Sequence, residues 1–313
     1  MGSAAQPDGP AALRAPRRLV QALAPAAPGS ADALWLDQLP GLARELLDRW
    51  ELTAERVQAP GGRSSLVVLV RRAGGEAAAL KLVPPTARGM QEEAALAHWN
   101  GWGSVRLLDA DPEAGALLLE RLHGEVSLSS LPDAKALLEA AGTVRRLWVE
   151  PPGGHPFETV AERTARAAAR MRAAVDEPEA ADLRPLVDQA LEARDRLAAD
   201  AAEVFLLHGR FRQGKVLSAD RTPWVAVGPE PLVGERAYDL ARLVRDRMED
   251  LVAASAGAAS ARRRIRRLAD SLEVDGERLH AWALFRAVDS GTRLMAEGRA
   301  REGELLLEYA GWL

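Results

Sequence analysis

The stretch LLHGRFRQGKVL, residues 206–217, decides the fold. Apolar residues lead into a His-Gly turn, a charged segment follows, and the last two residues are apolar again, so the stretch indicates a short strand, a loop and a second short strand. Another apolar segment follows at residues 224–227. Helical patterns lie on both sides, as at residues 137–148. The second half of the chain is therefore predicted to be mostly helical, with one β-rich interruption that carries a polar loop.

The first half of the chain is richer in strands. Two β-rich segments lie on either side of Gly74-Gly75, a pair typical of a hairpin turn, and so predict a small antiparallel sheet. The residue pattern predicts strands at 66–70, 77–83, 107–108 and 116–120, and helices at 31–50 and 90–99.

These patterns together predict an α+β fold with two lobes. Residues 1–30 are rich in Ala, Pro and Gly without a sustained period, so we expect a flexible or loosely packed arm. The small antiparallel-sheet lobe is assigned to residues 31–122, and the mostly helical lobe to residues 123–313.

Composition excludes several classes of function. The chain has 313 residues, a formal net charge of -4 and no cysteine, which rules out disulfides, zinc-thiolate sites and cysteine nucleophiles. This charge gives no long-range attraction to nucleic acid or to an anionic membrane, and no apolar run is long enough to span a bilayer. We expect a cytoplasmic protein with neither of these partners. The run RRRIRR at residues 262–267 is interpreted as the solvated face of a helix, because Ile265 and Leu268 fit a buried stripe.

Several segments outside the loop resemble a known family, the streptomycin 6-kinase and hydroxyurea phosphotransferase group of aminoglycoside phosphotransferases. The resemblance extends over roughly residues 34–313. It is carried by EEAALAHW at 92–99, GSVRLLDAD at 103–111, LLLERL at 117–122, PLVGERAYDLA at 231–241 and ELLLEYAGWL at 304–313.

The resemblance implies a protein-kinase-like fold, in which ATP lies in the cleft between the lobes and a hydroxyl group of the substrate receives the γ-phosphate. It implies that Lys81 contacts the nucleotide phosphates and pairs with Glu92, with Glu93 as the alternative partner. A lone lysine in an apolar strand needs an anionic partner, although an edge-strand lysine that reaches solvent is the competing interpretation. Residues Glu120 to Leu122 would offer backbone groups to adenine, or would simply end a strand.

Three positions depart from the family pattern, which has a catalytic Asp and an Asn in the loop and a further metal-binding Asp downstream. This chain has Arg210 and Lys215 in the loop, and Gly228 in the metal-site segment 224–231. A guanidinium and an ammonium group only donate hydrogen bonds, so neither serves as a base or a metal ligand. Each replacement also makes the site more positive.

The retained residues suggest that the fold is still needed. His208 and Asp239, which brace the loop in kinase-like folds, are both present. We therefore interpret the chain as a catalytically impaired pseudokinase that keeps the fold and binds a small molecule or nucleotide, with a protein partner as a further possibility. ATP is the expected ligand if the cations of Arg210 and Lys215 replace the charge of Mg²⁺.

Two alternatives keep an enzymatic function. In the first, the chain is an active aminoglycoside-type phosphotransferase that uses displaced groups, with Glu230 as a metal ligand. Against this, Arg210 and Lys215 would compete for the same carboxylate, and an Arg210–Glu230 pair would be a collapsed site. In the second alternative, a cationic pocket stabilises an anionic intermediate in a different reaction.

Overall fold

The computed structural model describes residues 13–24, 27, 29–86, 89–176, 178–200 and 203–313. Their contacts divide the chain into two compact units. The first comprises the chain up to Glu125 together with Ser218–Val225, and the second comprises Val126–Leu217 and Ala226–Leu313. The α+β prediction is confirmed, since the first unit is built on an antiparallel sheet and the second is mostly helical.

The first unit contains a five-stranded antiparallel sheet in the order β1-β2-β3-β5-β4. Alternating and continuous apolar runs explain its strands, because the inner strands are covered on both faces. The elements are α2 (Ala31–Arg49), β1 (Thr53–Val57), β2 (Leu66–Arg71), β3 (Ala77–Leu82), α3 (Gly89–Trp99), β4 (Leu107–Asp111) and β5 (Ala116–Glu120).

The predicted N-terminal arm needs correction in its second half. Residues 1–12 lie outside the described part of the chain, but Arg17–Leu23 form a helix, α1. The side chain of Leu19 is fully buried in the same core cluster as Trp35 and Leu39 of α2. A short helix with one buried leucine leaves too little periodic pattern for sequence reasoning to detect, and packing against α2 stabilises it.

The segment Ser218–Val225 also differs from the prediction, which placed it in the second lobe. The guanidinium of Arg221 donates hydrogen bonds to the carbonyl oxygens of Gly101, at 2.8 Å, and Ser104, at 3.0 Å. It also forms an ion pair with Glu120 at 2.7 Å. These contacts attach the segment to the first unit. No local sequence pattern predicts them, because they join residues far apart in the chain.

The second unit is built around a long buried helix. Helix α10 packs against α5, α6, α7 and α11, and its Trp282 and Phe285 are almost fully buried. The helices of this unit are α4 (Asp133–Leu147), α5 (Val160–Asp176), α6 (Arg184–Ala199), α7 (Arg236–Leu243), α8 (Met248–Ala253), α9 (Gly257–Leu272), α10 (Gly276–Ala296) and α11 (Ala300–Ala310).

Short strands interrupt the helices, and the sequence predicted those near residues 204–207, 216–217 and 224–227 but not the other three. They are β6 (His123–Ser127), β7 (Glu158–Thr159), β8 (Phe205–Leu207), β9 (Val216–Ser218), β10 (Trp224–Ala226) and β11 (Leu232–Gly234). Strand β11 pairs with β7 in parallel and with β8 in antiparallel orientation. Strands β6, β9 and β10 form a sheet in the order β10-β9-β6.

Helix α9 carries the arginine run at residues 262–267. Ile265 and Leu268 are buried, as predicted, but Arg264 is also buried and does not lie on the solvated face. It donates to Asp133 at 2.6 Å, so a carboxylate in α4 compensates its charge.

Among the described residues, no helix has both the length and the apolar character required to cross a membrane.

Candidate functional site

The first unit holds a buried ion pair between Lys81 and Glu92. Lys81 lies in β3, between β2 and β5, and is only 9% exposed, while Glu92 in the first turn of α3 is 5% exposed. The Lys81 ammonium donates to Glu92 Oε1 at 2.6 Å and also contacts Oε2. The structure thus brings together the two residues that the sequence paired, and the buried lysine does not reach solvent as the competing interpretation required.

Glu93, Glu120 and Leu122 are the other residues considered for nucleotide binding. Glu93 is half-buried next to Glu92 and is not the residue that pairs with Lys81. The Glu120 carboxylate is engaged by the backbone amide of Arg106, at 2.8 Å, and by Arg221. The carbonyl oxygen of Leu122 accepts a hydrogen bond from the Gly124 amide at 3.1 Å. These contacts use the Glu120 carboxylate and the Leu122 carbonyl oxygen; that backbone groups of Glu120 to Leu122 contact adenine stays a prediction.

In the second unit, β8 leads into the polar loop through a tight turn at His208-Gly209. Gly209 has φ of +74°, and a Cβ at this position would lie 1.9 Å from the carbonyl oxygen of Glu230. Only glycine fits there, since any side chain would clash with that backbone. The Glu230 amide in turn donates to the carbonyl oxygen of His208 at 3.0 Å. The loop is thereby fixed against the segment that contains Glu230.

Asp239 of α7 holds the turn from the other side. Its carboxylate is fully buried and accepts the His208 amide at 2.9 Å and the Gly209 amide at 2.8 Å. Burial raises the pKa of Asp239 to about 6, although these amides and the Arg286 guanidinium favour the ionised form. Arg286 also donates to the carbonyl oxygen of Gly209 at 2.9 Å. The bracing geometry expected of His208 and Asp239 is thus present.

His208 is a buried, neutral imidazole. Its Nε2 lies 3.3 Å from the carbonyl oxygen of Val227, and its Nδ1 faces the backbone amide of Arg210 at 3.3 Å. A carbonyl accepts and an amide donates, so the proton is on Nε2 and Nδ1 is the acceptor. Burial and the nearby charges of Lys215 and Arg210 lower the pKa of His208 to about 3. The ring therefore connects the loop to the metal-site segment without carrying charge at neutral pH.

Arg210, in the position where the family resemblance expects the catalytic base, forms an ion pair with Glu230. Its Nη1 lies 2.5 Å from Glu230 Oε1, and Arg163 of α5 approaches Oε2 at 3.6 Å. Burial alone would raise the pKa of Glu230, but the two arginines outweigh it and hold the pKa below its usual value. The sequence anticipated the Arg210 pair as a collapsed site, whereas Arg163 was missed because it is distant in the chain.

Lys215 and Gly228 lie side by side. The Val227 amide donates to the carbonyl oxygen of Lys215 at 2.9 Å, which aligns the two segments. A Cβ built on Gly228 would lie 2.6 Å from Lys215 Nζ. The ammonium group therefore occupies the space that a side chain at position 228 would enter. Both positions at which the resemblance expects metal ligands are thus filled by one cation.

These residues do not fit a magnesium ion. Mg²⁺ takes oxygen ligands and is bound in phosphotransferases by carboxylates and phosphates. Here Lys215 offers only donors, Gly228 has no side chain, and both oxygens of Glu230 face arginines. The described residues contain no group of three or more His, Asp or Glu side chains that could hold a metal ion.

Two further charged residues near the loop, Asp246 and Arg242, were assigned no site role from the sequence. Asp246 accepts the Gln213 amide at 2.5 Å, which fixes the middle of the loop. Arg242 is half-buried on α7, three residues after Asp239. The sequence gives little indication that these residues lie near the loop, because a charged residue near a helix end usually lies on a solvated surface.

Comparisons with known proteins identify the family. The family model described as aminoglycoside/hydroxyurea antibiotic resistance kinase matches residues 49–298. A streptomycin 6-kinase of Streptomyces glaucescens is 36% identical over 275 residues, which cover 87% of this chain and 88% of that protein. A hydroxyurea phosphotransferase of Kitasatospora aureofaciens is 34% identical over 296 residues, covering 90% of this chain and 83% of that protein.

Solved structures show the same fold at low sequence identity. A thermostable mutant of the aminoglycoside phosphotransferase APH(4)-Ia, solved with ADP and hygromycin B, has a TM-score of 0.60 and 16% identity, covering 86% of this chain and 96% of that one. The choline kinase LicA from Streptococcus pneumoniae has a TM-score of 0.58 and 12% identity, covering 86% of this chain and 98% of that one. At this identity the likeness concerns the fold alone.

Proposed function

This chain belongs to the aminoglycoside/hydroxyurea antibiotic resistance kinase family, and we propose that it is a catalytically impaired member, a pseudokinase that binds a small molecule or nucleotide without transferring phosphate. The observation that carries the proposal is the position of Lys215 Nζ, which occupies the space beside Gly228 where the family pattern has a metal-binding carboxylate. The pairing of Arg210 with Glu230 supports it, since a carboxylate held between Arg210 and Arg163 is not free to accept the proton of a substrate hydroxyl.

The expected loss of rate is large. A positioned general base contributes about 10²- to 10⁴-fold to a reaction, and a metal ion that neutralises the transferred phosphoryl group contributes several kcal/mol more. Arg210 supplies no base, and Lys215 with Gly228 supplies no metal ligand. The chain would therefore lack both contributions at once.

Nucleotide binding is a separate part of the proposal. The buried Lys81–Glu92 pair is the arrangement that, in kinase-like folds, places a lysine against nucleotide phosphates. We propose that ATP, or another nucleotide, binds through Lys81 without Mg²⁺. The alternative of an active kinase with Glu230 as metal ligand finds no support in the geometry, because Arg210 and Arg163 face the two oxygens of that carboxylate.

The test is a phosphoryl-transfer assay on the full chain with ATP and Mg²⁺, using streptomycin and hydroxyurea as acceptors. We expect no phosphorylated product above the background of an enzyme-free reaction. Product formation that disappears in a Lys81→Met, Glu92→Leu variant would refute the pseudokinase proposal. A parallel thermal-shift titration with ATP in EDTA is expected to stabilise the protein, and absence of any shift with or without Mg²⁺ would remove the nucleotide part.

A gain-of-function variant supplies the positive counterpart. The triple change Arg210→Asp, Lys215→Asn and Gly228→Asp restores the family residues at all three positions. We expect Mg²⁺-dependent transfer to appear only in the triple variant. Gly228→Asp alone leaves a lysine at the metal position, and Arg210→Asp alone leaves no metal ligand. Activity in the unmodified chain equal to that of the triple variant would contradict the proposal.

A further inference from the structure

The second unit contains a cavity of about 710 Å³ between α4, α8 and α9. All of its lining residues belong to this unit. The two long helices face it with residues three or four positions apart, which share one side of a helix. These include Leu138, Ala141 and Arg145 of α4, and Arg263 and Arg267 of α9. The volume is typical of sites for small molecules, which occupy about 300–1,000 Å³.

Leucines form the floor of the cavity. Leu251, Leu268 and Leu272 are buried, whereas Leu138 is 72% exposed, more than any other large apolar side chain in the part of the chain that the structure describes. Removing apolar surface from water is favourable in proportion to the area covered. A ligand that covers Leu138 therefore gains free energy from its own apolar part.

The charged residues of the cavity wall are mostly arginines. Among the described residues that line it, five are arginines and two are aspartates, Asp133 and Asp250. The Asp133 carboxylate already accepts a hydrogen bond from Arg264, at 2.6 Å, and lies 3.7 Å from Arg247. The three remaining arginines and Asp250 are exposed. The open part of the wall thus carries an excess of positive charge.

Two of the exposed arginines are neighbours. Arg263 and Arg267 are four residues apart on α9, so their side chains start from adjacent turns on one face of the helix. Arg145 of α4 lines the same cavity, whereas Glu139 and Asp270, the other acidic residues of the two helices, do not. A guanidinium group donates parallel hydrogen bonds to the oxygens of an anionic group. Arg263 and Arg267 beside an apolar floor therefore match a ligand with one anionic end.

We propose that this cavity, which we call the α4–α9 cavity, binds a small apolar molecule that carries one carboxylate or sulfonate group. The apolar part contacts Leu138 and the buried leucines, and the anionic group binds Arg263 and Arg267. A polycation such as streptomycin is disfavoured there, because like charges would be brought together. The inference goes beyond the proposed function and is the same whether or not the chain transfers phosphate.

The first experiment is a fluorescence titration of the full chain with anilinonaphthalene sulfonate (ANS), an aromatic molecule with one sulfonate that becomes fluorescent in apolar surroundings. N-phenylnaphthylamine, the same molecule without the sulfonate, is the matched neutral probe. We expect saturable binding of one ANS per chain, and binding of the neutral probe that is about tenfold weaker or more, since it lacks the charge-assisted hydrogen bonds. Equal affinity for the two probes, or no saturable ANS binding, would overturn the proposal.

The double variant Arg263→Gln, Arg267→Gln tests the anionic end of the site. Both residues are exposed, so the substitutions do not threaten folding. We expect ANS affinity to fall by about tenfold or more, with the affinity for the neutral probe unchanged. The matched control is Arg262→Gln, Arg266→Gln, which removes two exposed arginines of the same helix, with the same spacing, that do not line the cavity. No loss in the first variant, or an equal loss in both, would refute the site.

Leu138→Gln tests the apolar floor. Because this side chain is mostly exposed, its replacement should leave the melting temperature unchanged. It is expected to weaken the binding of both probes by about threefold or more, since the ligand then covers less apolar surface. Unchanged affinity for both probes would show that the ligand does not contact this face of α4, and would contradict the proposal.

Competition experiments define the class of ligand. Decanoate should displace ANS, whereas decanol, which has the same chain length and no charge, should do so at least about tenfold less well. Streptomycin should not displace ANS. Displacement by streptomycin that is lost in Asp250→Asn would show that the wall recruits a cation through Asp250, and would overturn the proposal.

The phosphoryl-transfer assay is independent of these measurements. Product formation would refute the pseudokinase proposal and leave the α4–α9 cavity unaffected. Absence of ANS binding, or insensitivity of that binding to the Arg263→Gln, Arg267→Gln change, refutes only the cavity proposal.

Discussion

The side-chain ammonium of Lys215 lies next to Gly228: a Cβ atom at position 228 would be only 2.6 Å from Lys215 Nζ. Gly228 itself has a left-handed backbone with φ of +59°. The two positions, thirteen residues apart in the printed sequence, thus depend on each other sterically and electrostatically. A change at one is expected to have a different cost depending on the residue at the other.

Substitutions at Gly228 measure this dependence. Gly228→Ala should lower the free energy of unfolding by about 1–2 kcal/mol, the cost of a left-handed conformation for a residue with a Cβ. Gly228→Asp should cost less, because Asp tolerates this conformation better and can pair with Lys215. Urea denaturation measures both.

In a Lys215→Met background, we expect the advantage of Asp over Ala at position 228 to shrink by about 0.5–1 kcal/mol, the usual contribution of a partly exposed ion pair. An unchanged advantage in that background would show that Lys215 does not interact with position 228.

Asp239→Asn should strongly destabilise the second unit. The carboxylate oxygens each accept a backbone amide, from His208 and from Gly209. An asparagine amide nitrogen would face one of these donors, so a buried amide would lose its acceptor. We expect a loss of about 2–4 kcal/mol in the free energy of unfolding, measured by urea denaturation at pH 7.

The control for that measurement is Asp188→Asn, an exposed aspartate on α6. Its replacement should change stability by no more than about 0.5 kcal/mol. Equal effects of the two substitutions would mean that Asp239 does not hold the loop.

Replacing His208 by glutamine should change how the free energy of unfolding depends on pH. The folded-state pKa of His208 is lowered to about 3 from an ordinary value of 6.5. The neutral ring therefore contributes stability above pH 6.5, and that contribution is lost as pH falls toward 3, since the unfolded chain binds the proton first. The stability difference between wild type and His208→Gln should shrink by about 1.4 kcal/mol for each pH unit below 6.5.

Urea titrations of both proteins at pH 7.5, 6.5, 5.5 and 5.0 provide the measurement. Asp239 titrates in the opposite sense, because its folded-state pKa is raised to about 6. It is present in both proteins, and its hydrogen bond comes from the backbone of position 208, so it cancels in the difference. A difference that stays constant from pH 7.5 to 5.0 would show that the ring is not held in the neutral form.

The Lys81–Glu92 pair predicts a large penalty for removing one partner and a small one for removing both. Lys81→Met should cost about 3–5 kcal/mol, because it leaves the Glu92 carboxylate buried without a counter-charge. The double change Lys81→Met, Glu92→Leu should recover most of that loss. Arg293→Met is the comparison, since its i,i+4 partner Glu297 is exposed and the pair is worth at most about 0.5 kcal/mol. A Lys81→Met variant as stable as Arg293→Met would contradict the buried character of the pair.

Much of the site in the first unit could be predicted from the sequence. A lone lysine in an apolar strand favours an anionic partner, and the family resemblance implies that Glu92 is that partner of Lys81. The choice of Glu92 over Glu93 is made by the orientation of α3, since adjacent helical residues point in different directions.

For the second unit, the sequence indicated which residues form the loop, but not which residues contact one another in space. The family resemblance assigns Arg210, Lys215 and Gly228 to the positions of the base and the metal ligands, which stays a prediction, and the sequence predicts the strands on either side of the loop. It does not show that Arg163 reaches Glu230, that Arg242 lies beside the loop, or that the Ser218–Val225 segment joins the first unit. These relationships join residues far apart in the chain.

The amino-acid sequence by itself indicated the family, through its resemblance to known kinases, and the α+β fold, because hydrophobic periodicity and turn residues are local properties. Only the tertiary structure decided which groups compensate the charges of the cationic residues in and beside the loop. Glu230 pairs with Arg210, the space beside Gly228 accepts Lys215, and Glu230 and Asp246 are the carboxylates whose charges interact with that of Arg242. The balance of charge at a buried site depends on which groups the fold brings within a few ångströms of one another, and spacing along the chain does not specify that.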